Sequence, residues 1–132
     1  MTQIDWDLWA EVKTILPATQ PTNNQLPYYC GMTKENVSVY IVDGNQIKID
    51  YDPDFVEANN SEESNWVAKA VGHEDSEEKF AIVDFNLKPD QWKFDLYHEL
   101  YEMRLMLTGM SYDKAHDKAN EAEMQLRSIY GF

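Results

Sequence analysis

The chain has one cysteine, Cys30, in 132 residues. A single cysteine excludes an internal disulfide and a cysteine-ligated zinc site, and it fits a reducing cytoplasm. Basic residues are scarce as well. Eleven Lys and Arg stand against 24 Asp and Glu, for a net charge of −13. A chain so acidic repels phosphate backbones and anionic lipid surfaces, which argues against direct nucleic-acid or membrane binding. No apolar run approaches the ~20 residues that a membrane-spanning helix requires. The first residues, Met1-Thr2-Gln3-Ile4-Asp5-Trp6-Asp7, form neither a basic region nor an apolar one, so no secretion signal is expected and the expected location is cytoplasmic. There is no internal repeat and no low-complexity tract.

What is present suits a folded protein. Hydrophobic residues make up 43% and aromatics 13%. The length is that of a single domain, 1–132, with room for a core. Ile4, Leu8, Val12 and Ile15 recur at helical spacing, with Trp9 and Leu16 widening the stripe, and Pro17 ends the helix predicted over 3–16. Pro17, Pro21 and Pro27 mark the next stretch as a loop. Tyr28-Tyr29-Cys30 reads as an upstream strand. Val37, Val39 and Ile41 alternate with their neighbours, Asp43-Gly44 is a hairpin turn signal, and Ile47, Ile49 and Tyr51 alternate on a return strand. Residues 52–64 read as a polar loop and 66–71 as a strand, with a short helix the alternative. Residues 80–85 are an apolar run that predicts a buried strand. The order predicts an α+β fold: an antiparallel sheet, a meander, covered by an N-terminal helix and a C-terminal antiparallel helical hairpin.

The acidity is uneven. Residues 43–78 hold 11 acids against Lys48 and Lys69, a net of −9. This segment reads as a solvated charged surface, or as a face that pairs with a basic protein in place of DNA. His73 lies in it and reads as a surface histidine.

The stretch from Pro89 to Gly109 carries the chemistry. Proline suits the first helical position, Asp90 suits the positive end of the dipole, and Gly109 suits a left-handed cap. At ~100° per residue, apolar side chains cover most of the helix, while Gln91, Asp95, His98, Glu99 and Glu102 share one sector of ~100°. Ionisable groups on a helix that is otherwise buried need partners or a metal. His98 and Glu102, four apart, share a face and can grip one ion, and Glu99 lies beside them. A second helix is predicted from about Tyr112, capped by Ser111, with Ala115, Ala119, Ala122 and Leu126 as its packing stripe. Folded about Gly109, Glu102 and His116 each lie seven residues from the turn. Both then sit ~10 Å from it, so they come level. Glu123 follows two turns later on the flank of His116.

His98-Glu99-x-x-Glu102, Gly109-Met110-x-Tyr112 and Ala115-His116, followed by Glu123, resemble the signature of a group of small bacterial and phage zincin-like proteins. The resemblance covers about a fifth of the chain. It implies His98, Glu102 and His116 at a metal site, with Glu99 beside it. Glu102 stands where the usual zincin has histidine. An added carboxylate lowers the net charge of the site and makes bound water less acidic.

Two functions follow from these readings. The first is a metal-dependent hydrolase, with a peptide or protein substrate, or an inactive relative of one. Zinc suits the His/Glu ligand set, Glu99 would move the proton, and Asp95 or Glu123 would orient a ligand histidine. The second is a non-enzymatic inhibitor or interaction protein of phage or mobile-element origin, acting through residues 43–78. Its helical polar stripe would then be structural, tied by Arg104 or Lys118.

Overall fold

The computed structural model describes residues 4–45 and 79–132. The fold is α+β. Helix α1 (Trp6–Ile15) starts at an Asp5 cap, whose carboxylate accepts a hydrogen bond of 2.9 Å from the Leu8 amide. It ends where Leu16 takes the extended backbone that a residue before proline favours. Leu8, Trp9 and Val12 are its buried face. A single 3₁₀ turn follows at Asn23–Gln25.

Among the described residues the sheet has three strands in the order β1-β2-β3: β1 (Tyr28–Met32), β2 (Val37–Val42) and β3 (Lys79–Asp84). β1 and β2 pair antiparallel, as the meander predicts. β3 joins parallel to β2, in register from Val37 opposite Lys79 to Val42 opposite Asp84, so the sheet is mixed. Two features explain the parallel pairing. All six residues of β2 and the four central residues of β3 are buried, the continuous apolar pattern of strands covered on both faces. A parallel pair also needs a long crossover, and residues 43–78 lie between the two strands. At the exit of β2 the Gly44 amide donates to Asp84 Oδ1 at 3.0 Å, which ties the ends of β2 and β3 together. The return strand expected at 47–51, the loop at 52–64, the strand at 66–71, His73 and most of the acidic segment lie outside the described residues.

The two C-terminal helices are α2 (Pro89–Leu107) and α3 (Tyr112–Ile129). Gly109 has φ +99°. The Gly109 amide bonds the Met106 carbonyl at 3.0 Å and the Met110 amide bonds the Leu105 carbonyl at 3.3 Å. This is a Schellman cap, and the glycine supplies its left-handed residue without a Cβ clash. Ser111 then caps α3 by accepting from the Lys114 amide. One core joins all the layers. Trp9 of α1 stacks on Phe94 of α2 at 5.3 Å and meets the edge of Tyr97 at 6.0 Å. Val39, Ile41, Ala81 and Val83 of the sheet and Ala122 and Leu126 of α3 complete it.

Candidate metal centre

Helix α2 is buried on its apolar sides and also along part of its polar sector. His98, Glu99 and Glu102 are 5%, 2% and 0% exposed. Carboxylates taken out of water are tolerated only with charged or hydrogen-bonding partners. Those of Glu102 come from two helices. Its Oε2 lies 3.0 Å from His98 Nε2, one turn earlier on α2, and 2.9 Å from His116 Nδ1 on α3.

The short turn at Gly109 sets this register. Antiparallel helices that share a tight turn bring residues equally distant from it level, and three polar pairs follow down the seam. Glu102 meets His116, His98 Nδ1 meets Glu123 Oε1 at 2.9 Å, and Gln91 Oε1 accepts from Arg127. Ala115, Ala119 and Ala122, all fully buried, let the helices approach closely enough for these contacts. Burial alone would raise the Glu123 carboxyl, but hydrogen bonds from His98 and Arg127 outweigh it and hold the group below the usual carboxylate value.

His98 thus uses both ring nitrogens, Nε2 towards Glu102 and Nδ1 towards Glu123. A histidine that holds a cation at Nε2 donates only from Nδ1, the usual arrangement of a metal-bound histidine backed by a carboxylate. One ligand atom each from His98, Glu102 and His116 lie within 4.8 Å of one another, close enough to hold a metal ion. Two imidazole nitrogens and a carboxylate oxygen are a divalent-metal donor set, and zinc accepts all three. The His98 and His116 rings sit 5.1 Å apart. The His116 side chain is 41% exposed, whereas that of Glu102 is fully buried, so the cluster opens to solvent at His116. There Tyr112 stacks on the His116 ring at 5.6 Å.

The structure therefore brings His98, Glu102 and His116 together and sets Glu123 against His98. Glu99 is buried on the neighbouring side of α2 and is not one of the three clustered residues. Asp95 is half-buried on the same helix. Arg104 does not tie the polar stripe. It reaches the other way, to Asp5 and to Glu35, which its Nε meets at 2.7 Å, and so anchors α2 to α1 and the β1–β2 turn. Lys118 is exposed. The cation in the seam is Arg127, whose Nε donates to Glu123 Oε2 at 2.7 Å. Its i,i+4 spacing from Glu123 was the sequence signal for that pair.

No protein-family model matches the chain, and neither the curated proteins nor the solved structures give a match.

Proposed function

We propose that this chain is a zincin-like metal-binding protein that holds a divalent ion, with zinc favoured, through His98 Nε2, Glu102 Oε2 and His116 Nδ1, and that it acts as a metal-dependent hydrolase on a peptide or protein. The observation that supports it is that one ligand atom from each of these three residues, on two helices, lies within 4.8 Å of the others. When bound, zinc supplies a Lewis acid and lowers the pKa of water. The other roles belong to side chains of the chain. Glu102, itself fully buried, brings a negative charge to the site, which offsets the charge of the ion. Glu123, whose Oε1 lies 2.9 Å from His98 Nδ1, is the group placed to hold the Nδ1 proton and keep Nε2 facing the ion. Glu99 is assigned as the general base that takes a proton from water and passes it to the leaving group. Asp95 is a further candidate for orienting a ligand. Substrate enters at His116, the exposed edge. The third ligand is a carboxylate where zincins carry histidine, so the expected hydrolysis is slow.

Elemental analysis of untagged protein purified without chelator tests the reading. Roughly one equivalent of metal is expected, as for a single site of this donor set. No metal after dialysis against zinc would overturn it. A second reading, an acidic interaction protein, rests on the net charge of −13 and its concentration in residues 43–78. It predicts a metal-free protein that captures a basic protein and loses that capture when Glu62, Glu63, Glu77 and Glu78 are neutralised.

A further inference from the structure

We infer that Arg127 is a positioning residue for the metal site, acting through Glu123 on the ring of His98; the inference rests on the metal-binding reading above. The geometry is a relay across the two helices. Arg127 donates from Nε to Glu123 Oε2 at 2.7 Å and from a terminal nitrogen to Gln91 Oε1 on α2. Its guanidinium carbon lies 4.7 Å from the centre of the Phe94 ring, and Phe94 is fully buried in the core. The planar head is thus held on three sides: by a carboxylate, an amide and an aromatic face. An arginine so fixed presents its donors in one orientation, unlike a flexible ammonium.

The consequence passes to Glu123. One oxygen is occupied by Arg127, which turns the other, Oε1, to His98 Nδ1 at 2.9 Å. A carboxylate free to rotate would share the proton of His98 with solvent, since Glu123 is itself 20% exposed. Locked, it selects the tautomer with the proton on Nδ1 and the lone pair on Nε2, the nitrogen that faces Glu102 and His116. Arg127 touches none of the three ligand residues in these contacts, so its effect must run through the carboxylate. Outer groups of this kind typically change metal affinity 10–100-fold.

The test compares zinc affinity, by competition with a chromogenic chelator, in wild type, Arg127→Met, Arg127→Lys, Glu123→Gln and the double variant Arg127→Met/Glu123→Gln. Methionine keeps an apolar chain against Phe94 and removes the donors. Zinc affinity is expected to fall about 10–100-fold in Arg127→Met and similarly in Glu123→Gln. The double variant is expected to lose little more than either alone, because both break one relay. Arg127→Lys, which restores one donor to Glu123, is expected to recover part of the loss and also covers the case in which Arg127→Met fails to fold. The visible spectrum of the cobalt-substituted protein should shift in Arg127→Met, since a merely structural arginine would leave ligand geometry alone. Wild-type zinc affinity in either Arg127 variant, or fully additive losses in the double variant, overturns the inference while the metal site stands. No zinc binding by wild type overturns both.

Discussion

Removing His98 strikes the centre of the seam, and its cost can be worked from the contacts. The His98 side chain is 6% exposed and bridges two carboxylates, at 3.0 Å to Glu102 and 2.9 Å to Glu123. In His98→Ala, Glu102 stays fully buried with one of its two histidine partners gone. Leaving a buried polar group short of a partner costs about 1–3 kcal/mol. In a domain of 132 residues, at ~4 °C per kcal/mol, the melting temperature should fall by roughly 4–12 °C. The metal adds a separable term. An ion that binds only the folded state stabilises it by about 2.7 kcal/mol at a hundred times its Kd, or ~10 °C on the same scale. Thermal melts with and without chelator, at several zinc concentrations, resolve the two. Wild type should show both terms, while His98→Ala should melt low and show no zinc-dependent rise. A wild-type melting temperature indifferent to zinc and chelator would refute the metal term. A loss under ~1 kcal/mol in His98→Ala would refute the buried-pair argument, since exposed pairs are worth no more than that.

Three other perturbations separate the parts of the site. Glu99→Gln preserves shape and should keep its metal while any peptidase activity drops about 10²-fold or more, the usual effect of a positioned base; loss of metal equal to that of His98→Ala would make Glu99 a ligand instead. Ala119→Leu forces a larger side chain into the fully buried α2–α3 contact, which should cost about 1–3 kcal/mol and spread the helices, so zinc affinity should fall although no ligand is altered; unchanged affinity would show that helix spacing does not control the site. Burial pushes the Cys30 thiol from 9.0 up to about 12. Its folded-state value is raised, so the associated stability is complete below pH 9 and is lost as pH rises towards 12. At pH 8 the thiolate fraction is roughly 10³-fold lower in the folded protein than in urea, so alkylation by iodoacetamide should be correspondingly slow; equal rates in both states would contradict the burial.

Local signals made much of this chain legible in sequence. The helix that ends before Pro17, the strand of continuous apolar residues at β3 and the alanine stripe of α3 each follow from short-range chemistry: proline geometry, two-sided burial and small residues at helical spacing. The level meeting of Glu102 and His116 was also readable, because Gly109 lies midway between them and a tight turn converts equal sequence separation into equal height. The direction of β3 was not. The continuous apolar run of β3 suits a strand covered on both faces, but the Asp43-Gly44 turn signal pointed to a meander, and only the pairing of Val37–Val42 with Lys79–Asp84 shows the parallel direction.

Helical spacing, caps and the turn at Gly109 thus set which helix faces are apolar, roughly where the helices end, and that His98, Glu102 and His116 share one seam. The partners of the long side chains came from packing between elements. It turned Arg104 away to Asp5 and Glu35, set Arg127 in the seam instead, and divided the two nitrogens of His98 between Glu102 and Glu123. Helical periodicity fixes the angle at which a side chain leaves its own helix, but long side chains such as arginine swing over several ångströms. Which carboxylate they reach depends on the neighbouring element that packing brings within range.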